Sequence, residues 1–366
     1  MPQIRFRKIE NNDGSINIED TFTNWSRGLE YLFGHLGADN IVGLAKFPQI
    51  FDVLSKYDSD VLSIFTRKLR LNTEKIVDVP SPISSTIPRR RISGYYDGSR
   101  LHVWMGDGTT DSQENIYYGY TDDFSTFTWN TTPVIPKQTN TGVRDPSLFV
   151  YNNTVYILIQ AWRPNNSLVT DLWKVPVGSE NNPASYVEVG VAIPVGGSGA
   201  FDDRWTASPS AVVVGDIVFV YYEAQQDTTW KYSIGLASQF LKDVEVVPYT
   251  KHGQILKLDN TVLENPTGAT RAIVPDEPLR LHGSLFLPGH YYDAGTTSWK
   301  LIWLFSTGDM LRGFLMLRDA SLNIGSDYRM DISGYFFKDQ YMYFFVTGGS
   351  PEKPALCRID LSDILS

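Results

Sequence analysis

The stretch Arg144-Asp145-Pro146-Ser147-Leu148-Phe149-Val150-Tyr151-Asn152-Asn153-Thr154-Val155-Tyr156-Ile157-Leu158 constrains the fold most, because its pattern recurs through the rest of the chain. A short polar lead, an apolar run, a two-residue polar turn and a second aromatic-rich run spell a β-hairpin. A degraded copy runs from Arg91 through Ile92-Ser93-Gly94-Tyr95-Tyr96, turns at Asp97-Gly98 and continues from Leu101 to Trp104. Another begins at Ser208-Pro209-Ser210 and turns at Gly215-Asp216. A further copy begins at His282-Gly283-Ser284-Leu285-Phe286 and resumes, after a longer turn, from Lys300 to Phe305. The last opens at Asp331-Ile332-Ser333-Gly334, turns near Lys338-Asp339 and runs on from Tyr341 to Val346. A period of roughly 50 to 70 residues is that of propeller blades of about four strands.

The outer halves of the blades repeat as well. Tyr118-Gly119-Tyr120-Thr121-Asp122-Asp123-Phe124 leads into Phe127 and Trp129, and Ile234-Gly235-Leu236-Ala237-Ser238 leads toward Val244 and Val246. These read as third strands, each followed by a turn and an outer fourth strand. A single blade cannot bury both of its faces, so stacked neighbours must supply the core. The expectation is an all-β, five-bladed β-propeller with a small, partly helical N-terminal region.

That N-terminal region differs in pattern. Trp25, Leu29, Leu32, Phe33 and Leu36 fall at helical spacing, as do Ile50, Phe51, Leu54 and Tyr57 after Pro48. A Pro and Ser-rich passage from Val79 to Pro88 then intervenes. The division expected is residues 1–80 as a cap or an attachment and oligomerisation region, 81–88 as linker and 89–366 as the propeller.

Composition narrows the function classes. The 366 residues carry a net charge of -9 and lack basic-aromatic runs, which argues against nucleic acid. No apolar run approaches the ~18 residues of a membrane span, and the first residues lack the apolar segment of a secretory signal. The single cysteine, Cys357, excludes an internal disulfide framework. The five histidines show no metal-ligand spacing, so no cofactor is expected, with a lone Ca²⁺ in the channel left open.

Arg144-Asp145-Pro146, followed by an apolar strand, a polar turn and a Tyr-rich strand, together with Asp123-Phe124 and Phe127 or Trp129 on the third strand, resembles the five-bladed propellers of glycoside hydrolase families 43, 32 and 130. The resemblance covers residues from about Pro88 to Ser366. It implies a first-blade Asp as base or nucleophile, a second-blade Asp that tunes the acid, and a third-blade Glu two residues before Pro as the acid. Asp145 matches the middle role. The first-blade positions are Arg90 or Arg91, and the residue two before Pro209 is Ala207, so the outer carboxylates of that pattern are missing. Hydrolysis generally takes two carboxyl groups, and Asp203, with its neighbour Asp202, Glu277 and Asp331 are the residues that a shifted register would bring in beside Asp145.

A second pattern comes from the residues themselves. Each blade has an Arg at or before its inner strand: Arg90 and Arg91, Arg144, Arg204, Arg280 and Arg329. Converging on a channel, these would suit an acidic ligand; paired with neighbouring Asp residues, they would instead fix ring closure. Trp205 and Trp162 stand where flat rings can stack on sugars, and His282 opens the fourth copy. The reading that follows is a carbohydrate-recognising propeller without catalysis, for a sugar that is acidic if the arginines converge, placed on a phage or archaeal-virus particle with residues 1–80 meeting an oligomer or virion partner. The alternatives are an active glycoside hydrolase, cytoplasmic or released, and a purely structural propeller.

Overall fold

The computed structural model describes residues 70–71, 73–83, 91–108, 113–137, 142–226, 231–257, 270–281, 284–293, 298–306, 315–317, 321–322, 328–348 and 353–360. The helices expected between Trp25 and Tyr57, and Arg90 and His282, lie outside them.

The described strands form antiparallel sheets in chain order. Ile92–Tyr96, Leu101–Asp107, Asn115–Thr121 and Thr128–Trp129 make the first. Val143–Tyr151, Thr154–Trp162, Leu168–Pro176 and Val187–Ile193 make the second. Trp205–Val214, Ile217–Gln226, Lys231–Phe240 and Thr250–Lys257 follow, joined to the second sheet through the parallel pair Trp205 and Leu168. Next, Thr270–Pro275 and Leu279–Leu281 both pair with Ser284–Asp293, followed by Ser298–Ser306 and Leu315–Leu317. The last sheet is Tyr328–Lys338, Tyr341–Gly348 and Lys353–Asp360, with Thr73–Asp78 as its outer strand.

That outer strand moves the edge of the repeat region upstream of residue 80. Thr73 pairs with Ile359 and Asp78 with Ala355, so a segment before the repeats completes the final sheet and ties the two ends of the propeller together.

Hairpin turns sit where the polar pairs stand. Asn152 and Asn153 take φ of 46° and 58°, the left-handed values a two-residue hairpin turn requires and Asn tolerates. Two strands differ from expectation. In the third sheet the chain after Phe240 makes a 3-10 turn at Leu241–Asp243, and the outer strand is Thr250–Lys257 rather than the Val244 to Val246 stretch. Val246 is exposed, and Pro248, with no N–H to give a ladder, stands between them. In the fourth sheet the innermost strand is the interrupted Thr270–Pro275 and Leu279–Leu281 pair, one strand earlier than the His282 copy suggested. Its interruption contains Asp276 and Glu277.

The second strands whose side chains are described are apolar on both faces because each lies between two neighbours. On Thr154–Trp162, Val155, Ile157 and Ile159 pack with Trp104, Ile116 and Tyr118 of the first sheet. The alternate residues Tyr156 and Leu158 pack with Val218, Val220 and Tyr222 of the third. Leu101, Val103 and Met105 close the ring against Phe336, Tyr343 and Phe345 of the last sheet. Burial of each such side chain contributes about 1.5–3 kcal/mol, and the period-2 alternation assigns one face to each neighbour.

The centre is polar and tied across sheets. Glu277 accepts from Ser93 Oγ at 2.9 Å, from Ser147 Oγ at 3.0 Å and from the Gly334 backbone N–H. Ser210 Oγ donates to the Pro275 carbonyl and Ser333 Oγ to that of Ile92. Arg91, fully buried, donates to the Pro209 carbonyl at 2.7 Å, to Ser210 Oγ at 2.7 Å and to the Pro275 carbonyl at 2.6 Å. The innermost strands thus present one Ser or Glu each to a shared hydrogen-bond network.

Candidate active site

Two irregularities create the site. The ladder of Val143–Tyr151 slips between Arg144 and Ser147, and that of Trp205–Val214 slips between Ala207 and Ser210. In each slip a Pro, Pro146 or Pro209, removes an N–H, and the residue before it goes left-handed: Asp145 at φ 50° and Ser208 at φ 43°. Bulges of this kind turn side chains out of the regular alternation. Non-glycine residues in this region cost of order 1–3 kcal/mol each and are held by the packing around them.

The turned side chains meet. Ser208 Oγ lies 2.9 Å from Glu223 Oε2, 3.3 Å from Asp145 Oδ2 and 3.3 Å from Gln160 Oε1. The backbone N–H of Ser208 also donates to Gln160 Oε1, at 3.2 Å, which fixes the orientation of that amide. The shared hydroxyl, 3.3 Å from Asp145 Oδ2 and 2.9 Å from Glu223 Oε2, brings the two carboxyls into one buried cluster.

A proton count bears on the two carboxyls. One serine hydroxyl has a single hydrogen to give, yet acceptors converge on it from three sides. The hydroxyl serves one of these acceptors at a time, and a neutral carboxyl could donate back to it, which the shortest contact, to Glu223, allows. Environment agrees. Burial pushes the Glu223 carboxyl up to about 7, with the Asp145 charge adding to the rise and Ser208, Arg144 and His290 opposing it. Glu223 is then a carboxylic acid near neutral pH, which is the condition of a general acid.

Around this pair stand a cation, a carboxylate and two indoles. Arg144 Nη1 is 3.6 Å from Glu114 Oε2, and its Nε is 3.9 Å from Asp145 Oδ2. Gly106 permits this, since a Cβ there would lie 3.3 Å from the Arg144 Cα. The Arg144 guanidinium lies 5.8 Å from the Trp162 ring, and Trp162 meets Trp205 edge-on at 6.1 Å. Both indoles are half-buried.

The expected residues separate into groups. Asp145, Arg144, Trp162 and Trp205 come together. Glu277 and Arg91 lie in the central network, where both are engaged by several sheets. Asp203 accepts from the Gly199 N–H in the loop before the third sheet, and Asp202 is buried against Tyr222 and Lys251. Arg204 lies 5.6 Å from the Trp205 ring. Arg280 falls in Leu279–Leu281, and Arg329 and Asp331 in Tyr328–Lys338; their side chains lie outside the described part.

Glu223, Ser208, Gln160 and Glu114 were not anticipated. The register explains Glu223: it pairs directly opposite Ala207, the position where the resembled families carry their acid. A carboxyl therefore reaches that place from the neighbouring strand. The signal was present, since Glu223 is the only charged residue in Ile217–Gln226.

No family model and no curated protein matches the sequence. Solved structures do match the fold. Zg3597, a family 117 glycoside hydrolase of Zobellia galactanivorans, aligns at TM-score 0.54 and 13% identity over 80% of this chain and 91% of its own. The Bacillus subtilis arabinanase Arb43A aligns at 0.54 and 13% over 76% and 96%. A β-1,2-mannobiose phosphorylase of Listeria innocua aligns at 0.54 and 10% over 82% and 94%. At such identities the likeness is one of architecture, and the chain has the propeller fold that these carbohydrate enzymes share.

Proposed function

We propose that this propeller, which we read as five-bladed, binds a glycan and cleaves it as a glycoside hydrolase. The C–O bond breaks as the leaving oxygen takes the proton of Glu223, which Asp145 helps to hold, and water adds to the anomeric carbon, its surplus proton restoring the Glu223 acid through solvent. The observation that carries this is the pair of buried carboxyls joined through Ser208, with Glu223 raised by burial. As Glu223 gives up its proton, the Ser208 hydroxyl turns to donate to the new carboxylate, so the charge formed is met by a hydrogen bond already in place. Trp162 and Trp205 offer ring faces beside the acid, as sugar-binding sites commonly do. The test is a glycan screen with release of reducing sugar measured for the wild type, Glu223→Gln and Asp145→Asn. Turnover in the wild type that falls by at least about a hundredfold in Glu223→Gln fits the proposal; equal turnover in both sinks it.

One observation favours a second reading, recognition without turnover. Arg91, near the place of the resembled first-blade base, is buried in the central network, and the buried carboxyl of Glu114 is set against Arg144. Sugar binding with no turnover in any of the three proteins would establish that reading.

A further inference from the structure

Two hydrogen-bond donors beside the carboxyl pair have no protein partner. Gln160 is 1% exposed, and its amide oxygen is held by both the N–H and the hydroxyl of Ser208. Its Nε2 makes no hydrogen bond. Trp162, two residues further along the same strand, has a buried Nε1 that likewise makes none. Residues two apart on a strand share a face and sit about 7 Å apart, so both donors lie on the face turned toward Ser208 and Trp205. A buried donor left unpaired costs about 1–3 kcal/mol, and two in a row beside the site point to a ligand that accepts from them.

The charges around them say what kind of ligand. Asp145 and Glu114 are both buried carboxyls, and Arg144 lies between them. Of the other described arginines, Arg91 spends its donors on Pro209, Ser210 and Pro275, and Arg204 stands against the Trp205 ring. A sugar carboxylate or sulfate brought between Asp145 and Glu114 would meet like charge in a desolvated place. We infer that Gln160 and Trp162 are specificity-determining residues that donate to hydroxyl oxygens of an uncharged sugar ring, and that the site rejects acidic sugars. This rests on the proposed function, whose site it specifies, and it departs from the acidic ligand that the run of arginines suggested.

The experiment is calorimetric titration with matched pairs of methyl glycosides, the glucoside with the glucuronide and the galactoside with the galacturonide, followed by gluco- and galacto-oligosaccharides and their uronate counterparts. Wild type is compared with Trp162→Phe, which removes only the N–H, and with Gln160→Leu. The neutral member of a pair should bind at least about tenfold more tightly than the acidic one, and each variant should weaken it by roughly three- to tenfold. Preference for the uronate, or unchanged neutral affinity in both variants, overturns the inference while leaving the proposed function standing. Absence of binding to every sugar overturns the proposed function itself. If circular dichroism shows Gln160→Leu to be unfolded, Trp162→Phe alone decides.

Discussion

Glu223→Gln isolates the protonation state on which the proposed chemistry depends. The carboxyl has an ordinary value of 4.5 and is raised to about 7 in the fold, chiefly by burial. Between those values the unfolded chain has lost the proton while the folded chain keeps it. The folded state therefore binds more protons, and stability falls as pH rises through this window. At 1.36 kcal/mol per unit, this group removes roughly 2–3 kcal/mol of wild-type stability between pH 5 and pH 8. Glutamine keeps the shape and can still donate to Ser208 Oγ, but it does not titrate. The stability difference between variant and wild type should thus shift by roughly 2–3 kcal/mol in favour of the variant from pH 5 to pH 8. Urea unfolding at the two pH values measures it, and because only the change with pH is read, any fixed cost of the substitution cancels. Infrared spectra at pH 6 should also show a neutral-carboxyl stretch in the wild type that Glu223→Gln lacks. A pH-independent difference, together with identical infrared spectra, would mean that Glu223 is ionised at neutrality, and the proton donor would be lost with it.

Three further outcomes follow from the same geometry. Asp145→Asn removes a negative charge that raises Glu223, so the alkaline limb of any pH-rate profile should move to lower pH, as initial rates from pH 5 to 9 would show. Glu277→Ala strands the Ser93 and Ser147 hydroxyls and the Gly334 N–H at the centre of the ring, and should cost at least about 3 kcal/mol in urea unfolding; a loss below about 1 kcal/mol would refute its tying role. Gly119→Ala places a Cβ 2.4 Å from the Trp129 ring and should destabilise by about 1–3 kcal/mol, whereas Gly197→Ala, with nothing within 4 Å, should lie within about 0.5 kcal/mol of wild type in the same thermal scan.

The contrast between Asp145 and Glu223 shows why the fold was more legible than the site. Hairpin grammar is local: Asn152-Asn153 and Gly215-Asp216 stand between apolar runs, and the structure turns there. Asp145 was legible for the same reason, since the bulge that aims it is written into Arg-Asp-Pro. Glu223 belongs to a different strand from the Ser-Pro-Ser motif and becomes its neighbour only through a ladder in which Ala207 faces Glu223. A search along one strand finds alanine; a search across the hairpin finds the acid. Glu277, expected as a carboxyl that a shifted register would bring in beside Asp145, reaches the central network. In the fold it occupies, in its own sheet, the place that Ser93, Ser147, Ser210 and Ser333 occupy in theirs, and its carboxyl accepts from Ser93, Ser147 and the Gly334 N–H. Pairing each inner-strand motif with the residues of the following strand, counted back from the shared turn, would have placed Glu223. Applied to the first sheet, where Ile92 faces Met105, that count carries the search to the end of Leu101–Asp107. There Asp107 is buried and accepts from Ser81 and from the Gly108 N–H, as a further carboxylate supplied across a hairpin.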